Sequence, residues 1–576
     1  MAAAKQQQQQ QQQKLFLLDY GAGNVRSLLN AVEQLGHTIE HISSAADFDA
    51  ADKIIFPGVG AFGYAMAALR ARGFAEPLRA YIASGRPLMG ICVGMQVLFE
   101  GSDESPDEPG LGVFEGRVRL FDCAAKAVPH MGWNSAQTVW SPADAAAAQA
   151  PDVAADRRYY FVHSYAVPYT GQGRQRAFAH TATRYGDEVI VSSLWQGRVF
   201  ATQFHPEKSG AAGLAVLRSF IECDLARPAA AAAAAADAAA PARTREQLTT
   251  RVIACLDVRA NDQGDLVVTK GDQYDVREKP DQGGDVRNLG KPVDLARRYY
   301  EEGADEIAFL NITSFRNMPF RDTPMLEVLR QASRSIFVPL TIGGGVRDVE
   351  DPDGQRVWPA VDVAGEYFRS GADKVSIGSD AVYAAERYWQ RVAAGHPPLD
   401  GATAIEQIAQ RYGRQAVVVS VDPRRVYVRS PDEAAGHHVI KTAFPGPAGE
   451  QFCWYQCTVK GGREGRDTDV RQLVTACAAL GAGEILLNCM DKDGTNSGYD
   501  IELVADTKAA VSIPVIASSG AGRPEHFSDV VESTGVDAVL AAGIFHRREV
   551  PIQAVKDHLA QRGVPTRLAA TTTLSM

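Results

Sequence analysis

One cysteine stands in a stretch that is typical of a nucleophile. Cys92 lies in Pro87–Gln96 (PLMGICVGMQ), which begins as an apolar strand and continues as a helix. The tight turn between them exposes the thiol, and Gly90 and Gly94 let neighbouring chains pass closely. The helix N-terminus favours a thiolate, and the amide of Val93 is placed to face an oxyanion. A buried structural cysteine is the alternative that this stretch alone leaves open.

A base and an orienting acid occur later in the chain. His205 and Glu207 belong to the stretch Gln203–Glu207 (QFHPE), which follows an apolar strand. Residues two apart on an extended segment share a face, so Glu207 can orient the imidazole while His205 takes the thiol proton. This is the Cys–His–acid form of a catalytic triad. A glycine turn, Pro57–Gly60 (PGVG), can offer the oxyanion a second backbone donor, with a plain turn as its alternative.

These motifs resemble the class I glutamine amidotransferases over nearly all of residues 14–225. Five stretches resemble one branch, the glutaminase of the imidazole glycerol phosphate synthase family: Asp19–Asn24, Pro57–Phe62, Pro129–Asn134, Tyr160–Tyr165 and Phe204–Ser209. The resemblance implies that Cys92 forms a γ-glutamyl thioester and that His205 passes a proton to the departing ammonia. It also implies that Gly60 and Gln96 hold the glutamine substrate, beside the oxyanion donors expected at Gly58 and Val93.

Two aspartates at the ends of similar strands are the acid–base candidates of the second half. Asp257 ends the stretch Ile253–Asp257 (IACLD), and Asp422 ends Val418–Asp422 (VVSVD). On opposite walls of a barrel mouth they can act as general acid and base across one substrate. A strand-end aspartate can instead cap the next helix.

Glycine turns after two other similar strands predict two phosphate sites. Exposed backbone amides there, with a helix N-terminus behind them, suit a phosphate. The predicted residues are Gly344, Gly345, Gly378 and Ser379 in a first cup, Gly520 and Gly543 in a second, and Asp493, Gly494 and Thr495 in a polar loop that can close over the substrate. Two facing cups imply a substrate with a phosphate at each end. For the loop, a surface turn is the alternative.

Such residues need folds that bring distant strands together. Both halves alternate apolar strands with helical stretches, which predicts an α/β protein: a class I glutamine amidotransferase (flavodoxin-like) domain followed by a (β/α)8 TIM barrel. The first half has predicted strands at Leu15–Asp19, Lys53–Phe56, Leu88–Ile91 and Val199–Phe204. The eight of the second half are Val252–Asp257, Glu306–Asn311, Val338–Ile342, Lys374–Ile377, Val417–Val421, Glu484–Asn488, Val515–Ala517 and Ala538–Ala541.

The second half also repeats itself. Gly303–Asn311 resembles Gly481–Asn488, and Val338–Gly345 resembles Ile513–Gly520. A half-barrel doubled in this way has quasi-twofold symmetry, so a site in one half should recur in the other. Chance similarity between βα units is the alternative.

Composition predicts how the chain is divided. We predict a disordered glutamine-rich tail (1–13), a glutamine amidotransferase domain (14–226), an alanine-rich linker (227–246) and a barrel domain (247–576). Three stretches are interpreted as insertions into a minimal barrel: Asp272–Gly290, Asp351–Asp362 and Arg424–Asp467. The last is too long for an ordinary loop and should be partly structured or mobile.

Residues 250–568 resemble the cyclase barrel of the same family, and Lys270 matches its loop-1 lysine. The order of the two parts resembles the single-chain form of fungi and plants. The implied reaction joins ammonia to PRFAR, a bisphosphate, and yields imidazole glycerol phosphate and AICAR, with Asp257 and Asp422 transferring protons. The bacterial barrels often have Asn-Thr where this chain has Gly378-Ser379, and serine where it has Gly543. The backbone amides can still bind phosphate, but the side-chain donors of the two cups are in doubt.

Four charged residues begin or directly precede predicted barrel strands and therefore lie at the face opposite the predicted site: Arg251, Glu306, Lys374 and Glu484. Charges there are usually structural or solvated. In the family that the chain resembles, residues at these positions ring an ammonia entrance, and two pairs of opposite sign could act as a gate. We also predict that Lys208 pairs with Asp373 across the domain interface.

Composition excludes several other classes of protein. A net charge of −10 argues against binding to nucleic acid or a membrane surface. Eight scattered cysteines fit a reducing compartment, and the spacing of Cys453 and Cys457 is the one weak alternative for zinc. We predict a cytoplasmic monomer without metal or cofactor, whose two domains interact and whose partners are the small molecules glutamine and PRFAR. A plastid form, a ProFAR-isomerase-like barrel and a non-catalytic scaffold with an inactive glutaminase are the alternatives.

Overall fold

A computed structural model describes residues 13–21, 23–139, 150–226, 248–260, 266–269, 290–312, 323–350 and 356–568. The chain divides into two compact units. Among the described residues, the first unit holds those of Met1–Phe121, Asn134–Phe161 and Tyr165–Glu246, and the second holds those of Asp122–Trp133, Val162–Ser164 and Gln247–Met576. Residues 1–12 and the predicted linker lie outside the described residues, so the predicted domain limits stay predictions.

The strands described within residues 13–226 are short. In chain order they are β1 Leu15–Leu17, β2 Glu40–His41, β3 Lys53–Gly58, β4 Leu88–Cys92, β5 Gly101–Ser102, β6 Ser105–Pro109, β7 Arg117–Leu120, β8 His130–Asn134, β9 Gln137–Thr138, β10 Tyr159–His163, β11 Tyr165–Ala166, β12 Ala179–Tyr185, β13 Glu188–Gln196 and β14 Val199–Thr202. The helices are Arg26–Gln34, Asp47–Ala50, Phe62–Ala71, Ala75–Ala83, Val93–Gln96, Gln175–Phe178 and Gly210–Glu222, with a 3-10 turn at Pro206–Lys208.

An eight-stranded sheet forms the centre of the first unit, in the order β2-β1-β3-β4-β14-β13-β12-β9. The strands from β2 to β14 are parallel, and the last three are added in antiparallel fashion. Every residue of β3 and β4 is buried, which is typical of parallel strands covered by helices on both faces. Because β3, β4 and β14 are neighbours, the segments that leave their carboxyl ends meet at one edge of the sheet.

The second unit is built on a closed barrel. Its strands and those attached to it are β15 Arg251–Ala260, β16 Leu266–Thr269, β17 Glu306–Asn311, β18 Leu340–Gly343, β19 Val349–Glu350, β20 Val357–Trp358, β21 Lys374–Ile377, β22 Val417–Val421, β23 Pro423–Val428, β24 Ile440–Lys441, β25 Phe452–Val459, β26 Glu464–Asp469, β27 Glu484–Asn488, β28 Val515–Ser518 and β29 Ala538–Ala541. The eight predicted strands form one parallel ring that β15 closes by pairing with β29. The predicted (β/α)8 barrel is therefore confirmed.

Helices connect these strands and cover the barrel. Those of the described part are Pro292–Glu301, Thr323–Ala332, Ala360–Ser370, Ser379–Ala393, Ala404–Tyr412, Val470–Leu480, Ile501–Ala510, Pro524–Thr534, Gly543–His546 and Ile552–Gln561, with 3-10 turns at Arg414–Ala416, Pro431–Ala434 and Met490–Lys492. The barrel interior is filled by apolar residues from strands of both halves, among them Ile253, Val418 and Leu540. Among the described residues, no helix is long and apolar enough to cross a lipid bilayer.

The predicted insertion Arg424–Asp467 is a small antiparallel sheet. Strand β25 lies at its centre and pairs with β23, β24 and β26. Its hydrophobic cluster is formed by Val428, Ala434 and Trp454. Because β23 begins directly after Asp422, the sheet is continuous with the mouth of the barrel. The second predicted insertion contains β20, which pairs with β19 directly before the insertion, and all of the first but Gly290 lies outside the described residues.

Candidate active sites

Cys92 occupies a strained turn between β4 and the helix Val93–Gln96. Its backbone has φ 53° and ψ −110°, values that few residues other than glycine adopt. Neighbouring glycines leave no room for a side chain, since a Cβ on Gly58 would lie 2.3 Å from the backbone nitrogen of Gly94. The helix has only one turn. A thiolate at this position is therefore stabilised more by hydrogen-bond donors close to the sulfur than by the dipole of so short a helix.

The predicted triad comes together at the edge of the sheet. His205 Nδ1 lies 2.7 Å from Glu207 Oε1, and the imidazole also interacts electrostatically with the sulfur of Cys92. All three residues are buried. One part of the sequence reasoning is wrong: Glu207 does not follow on an extended segment but lies in the 3-10 turn Pro206–Lys208. Pro206 fixes φ at a helical value, so Glu207 reaches the imidazole by curling back toward it.

The electrostatics of this centre favour a charged imidazole. Burial lowers the pKa of His205, but the carboxylate of Glu207 and the sulfur of Cys92 outweigh that effect, so the pKa is raised well above its ordinary value. A protonated imidazole beside the sulfur stabilises a thiolate. The arrangement can therefore activate a nucleophile and later return a proton to a leaving group.

Of the four predicted oxyanion and glutamine residues, Gly58 and Val93 lie directly beside Cys92. Gly58 is in register with Cys92 across β3 and β4, Val93 follows Cys92 directly, and Gly60 has φ 126°. Gln96 is buried, and its amide nitrogen donates to Tyr165 O at 2.9 Å and to Gln203 Oε1 at 3.1 Å.

Sequence reasoning missed Gln203, whose Nε2 donates to Cys92 Sγ at 3.5 Å. The sequence feature that could have indicated Gln203 is its position two residues before His205. Strand β14 ends at Thr202, so both residues lie in the segment that leaves the sheet there.

A cavity of about 300 Å³ opens at the carboxyl ends of the barrel strands. It brings together most of the predicted residues: Asp257, Gly344, Gly345, Gly378, Ser379, Asp422, Asp493, Gly494, Gly520 and Gly543. Thr495 does not line it and instead donates to Lys492 O at 2.8 Å. Lys270 lies outside the described residues.

The two aspartates are both half-buried. Burial raises the pKa of Asp422, and a hydrogen bond of 3.0 Å from Asn488 Nδ2 to its Oδ1 lowers it in part, so the net shift is upward. Asn488 is itself fixed, because its Oδ1 accepts a hydrogen bond from Ser519. A carboxyl group with a raised pKa can carry a proton closer to neutral pH than a solvated one.

Both cups use backbone in the left-handed region. Gly344 and Gly345 have φ 92° and 78°, and the equivalent Ser519 and Gly520 have φ 74° and 96°. Consecutive residues in such conformations turn their amides toward one side. The expected helix directly behind the first turn is absent from the described residues, because the hairpin β19–β20 follows Gly345. The helix that begins at Ser379 on the adjoining strand lies at that cup instead.

Several residues of the cavity were not predicted: Asn311, Arg347, Asp380, Lys460, Asn488 and His546. Asn311 and Asn488 end the two repeats Gly303–Asn311 and Gly481–Asn488, a signal that sequence reasoning had but did not use. Lys460 comes from the inserted sheet, and its backbone N–H donates to Ser379 Oγ at 2.9 Å. Only the folded insertion brings it near a cup.

The four predicted charges at the other end of the barrel form a closed ring. Arg251 contacts Glu306 at 2.9 Å and Glu484 at 2.5 Å, and Lys374 contacts the same two carboxylates at 2.7 and 2.6 Å. Each acid therefore bonds both bases, rather than forming two separate pairs. All four side chains are at most 1% exposed. Burial raises the pKa of Glu306, but Lys374 and Arg251 outweigh it and hold the pKa below its ordinary value.

The predicted contact between Lys208 and Asp373 stays a prediction. The Asp373 carboxylate accepts a hydrogen bond of 2.8 Å from the backbone N–H of Leu340.

Comparison with known proteins identifies the families that the two halves match. The model of the family "Glutamine amidotransferase class-I" matches residues 16–223, and that of "Histidine biosynthesis protein" matches residues 251–551. Imidazole glycerol phosphate synthase hisHF of Emericella nidulans is 56% identical over 557 residues, which are 96% of this chain and 98% of the relative. The Schizosaccharomyces pombe protein of that name is 55% identical, with 96% and 99% covered.

The match extends to a plant and to a separate archaeal subunit. The Arabidopsis thaliana relative, imidazole glycerol phosphate synthase hisHF, chloroplastic, is 53% identical over 96% of this chain and 89% of its own length. The HisF subunit of Natronomonas pharaonis is 40% identical over 56% of this chain and 99% of its own length. The chain thus joins in one polypeptide a glutamine amidotransferase and a histidine-biosynthesis barrel, and it belongs to the imidazole glycerol phosphate synthase hisHF family.

Proposed function

We propose that the chain hydrolyses glutamine at Cys92 and uses the ammonia in the barrel to convert PRFAR into imidazole glycerol phosphate and AICAR. The observation that carries this proposal is the presence, on one chain, of a buried Cys–His–Glu triad and a cavity between two glycine cups. The first can release ammonia from an amide, and the second fits a substrate with two phosphates.

In the first reaction the Cys92 thiolate attacks the carboxamide carbon of glutamine. The carbonyl electrons move to the oxygen, where backbone donors near Gly58 and Val93 stabilise the charge. The intermediate collapses as His205 gives its proton to the leaving nitrogen, so ammonia departs and a thioester remains. A water molecule, deprotonated by His205, then hydrolyses the thioester to glutamate and restores the thiol. The Glu207 carboxylate keeps the imidazole oriented throughout.

In the second reaction the two cups hold the phosphates of PRFAR, and this places the reacting atoms between Asp257 and Asp422. Ring closure needs proton transfers to and from nitrogen and oxygen atoms. The raised pKa of Asp422 suits the donation of a proton, and Asp257 on the opposite wall is then the group that accepts one. Asp493 and Gly494 lie on the loop that borders the cavity.

The ring of four charges is the proposed ammonia entrance. It surrounds the start of the barrel strands, whereas the cavity lies at their ends, so ammonia that passes the ring can reach the cavity along the barrel axis. Neutral ammonia needs no counter-ion, so its passage leaves the balance of two cations and two carboxylates in the ring unchanged. Opening requires at least one cation to leave its carboxylates.

The alternatives have less support. A ProFAR-isomerase-like barrel would need no ammonia, and a scaffold with an inactive glutaminase would need no short contact between His205 and Glu207. We keep the cytoplasm as the proposed compartment and a monomer as the proposed state. The word "chloroplastic" in the name of the Arabidopsis relative keeps a plastid as the alternative.

The proposal is tested by incubating the purified chain with glutamine and PRFAR. We expect AICAR and glutamate to form together, and AICAR to form with ammonium chloride in place of glutamine. Glutamate without AICAR, or a barrel that isomerises its substrate without consuming nitrogen, would contradict it.

A further inference from the structure

A third side chain contacts the sulfur of Cys92, beside the triad. Gln203 is fully buried, and its Nε2 lies 3.5 Å from Cys92 Sγ. Its other end is held as well, because Oε1 accepts a hydrogen bond of 3.1 Å from Gln96 Nε2. Gln96 Nε2 in turn donates to the backbone carbonyl of Tyr165 at 2.9 Å. Three residues thus form a chain of hydrogen bonds that ends on the nucleophile.

Which group donates in each of these hydrogen bonds follows from the one at Tyr165, the residue farthest from Cys92. A backbone carbonyl can only accept, so the end of Gln96 that faces Tyr165 must be the NH2 group. The same NH2 group faces Gln203, whose end there must therefore be the oxygen. The NH2 group of Gln203 is then the end that faces Cys92. The sulfur consequently receives an N–H donor, and the assignment does not depend on distinguishing nitrogen from oxygen at Gln203 itself.

A donor in this place has a definite chemical effect. A hydrogen bond to the charged form of a group favours that form, and a thiolate accepts more strongly than a thiol. The one-turn helix after Cys92 limits the support from backbone dipoles. His205 cannot supply all of it either, because it must release its proton to the leaving nitrogen during turnover.

We propose that Gln203 is a catalytic residue that holds Cys92 as a thiolate through its amide N–H, and that Gln96 positions it. The inference rests on the proposed glutaminase reaction for its purpose, but the contact can be tested without that reaction. It also revises the expected role of Gln96. Both hydrogens of its amide are used within the protein, so Gln96 cannot hold glutamine through its nitrogen.

The proposal predicts a particular pattern of reactivity. Without the donor, a smaller fraction of Cys92 is ionised at a given pH, while each thiolate that does form is at least as nucleophilic. The rate should therefore fall at low pH and recover at high pH. A residue that only supports packing would lower the rate at all pH values or not change it.

The test is alkylation by iodoacetamide, followed at the level of individual peptides from pH 5 to pH 10, with no glutamine present. Gln203→Met keeps the size of the side chain and removes the donor. Exposed Cys123, in the same molecules, is the internal reference. Gln137→Met is the matched control, since Gln137 also donates to a backbone carbonyl (Ala155, 3.2 Å) but is not part of this chain of hydrogen bonds.

We expect the alkylation of Cys92 in Gln203→Met to fall about tenfold below neutral pH, the factor for a hydrogen bond to a charged group. Its profile should meet that of the unaltered chain at high pH. Gln137→Met should match the unaltered chain throughout.

A second variant, Gln203→Glu, keeps the shape and places a carboxylate near the sulfur. It should shift the profile further in the same direction. Thermal unfolding of each variant shows whether it is folded, and if Gln203→Met does not fold, Gln203→Glu decides. The proposal would be overturned if the pH dependence of Cys92 alkylation were unchanged in Gln203→Met or, where that variant does not fold, in Gln203→Glu. If the profile shifts but the unaltered chain hydrolyses no glutamine, the proposed function fails and the contact stands.

Discussion

The two reactive centres are built in different ways. Around Cys92, function depends on a few side chains that are buried and in short contact, such as the 2.7 Å pair of His205 and Glu207. In the barrel cavity, backbone amides in glycine turns provide much of the lining, and the side chains come from strands, loops and an inserted sheet.

The difference follows from the chemistry. A covalent step needs one nucleophile, one base and a fixed distance between them, whereas a large bisphosphate needs many weak donors over a long surface. The first centre should therefore fail when a single atom is removed, and it should fail without harm to the second. Substitutions that disable one centre at a time measure how separable the two centres are.

Removing the nucleophile should have the largest effect. Cys92→Ala is expected to abolish glutamine-dependent formation of AICAR and to leave the ammonia-dependent reaction nearly intact, because no thioester can form while the barrel is unaltered. The measurement is the initial rate with each nitrogen source. Equal loss of both activities would mean that Cys92 is structural and that the centres are not separable.

Removing a barrel carboxylate should affect both nitrogen sources. Asp257→Asn and Asp422→Asn are each expected to lower the rate by about 10²–10⁴-fold, the usual contribution of a proton-transfer group. Glutaminase activity without PRFAR serves as the control and should persist. An ammonia-driven rate within a few-fold of that of the unaltered chain would exclude the substituted aspartate from the mechanism.

The contrast between the centres also explains what the sequence could predict. Cys92, His205 and Glu207 were found because each lies in a short local motif, and Asp257 and Asp422 because each ends a repeated strand. Gln203 was missed although it belongs to the same motif as His205, since its role depends on which way Gln96 turns its amide. That orientation exists only in the folded chain.

Similar reasons account for the remaining differences. Lys460 comes from the inserted sheet, and nothing in its local sequence indicates that the sheet reaches the first cup. The four charges of the ring were located by their positions at strand starts. Each acid contacts both bases because of the distances across the closed barrel. Those distances cannot be predicted from a local sequence pattern.

Removing the hydrogen bond from Asn488 to Asp422 should have an effect of intermediate size. Asn488 stabilises the carboxylate and so lowers its pKa, while burial raises it. In Asn488→Ala the pKa should rise further, because the carboxylate loses a hydrogen bond that favours its charged form. The pH–rate profile is measured at constant free ammonia. If Asp422 acts as an acid, the alkaline limb moves to higher pH, and if it acts as a base, the acidic limb does.

Thr495→Ala is the control for this profile, because Thr495 lies on the polar loop that follows Asn488 in the sequence but does not line the cavity. It should leave both limbs in place. A profile of Asn488→Ala that does not move, or that moves to lower pH, would contradict the role given to this hydrogen bond.

Opening the ring should have the smallest effect on rate and a clear effect on coupling. Lys374→Ala or Glu484→Ala is expected to raise the glutamine consumed per product a few-fold, while the ammonia-driven rate changes less. Loss of one partner of a buried pair costs about 3–5 kcal/mol, so thermal unfolding must be measured in parallel. Lys508→Ala is the control, since it removes a partly exposed pair with Asp537 outside the ring. One glutamine per product in both ring variants would rule out a gate.

The central claim is that ammonia made at Cys92 is the nitrogen used in the barrel. It is tested most directly by supplying glutamine labelled with ¹⁵N in its amide group, together with PRFAR and an excess of unlabelled ammonium chloride. We predict imidazole glycerol phosphate that carries the label with little dilution, and one glutamate for each AICAR. Product whose label is diluted to the level of the bulk ammonium would contradict the account.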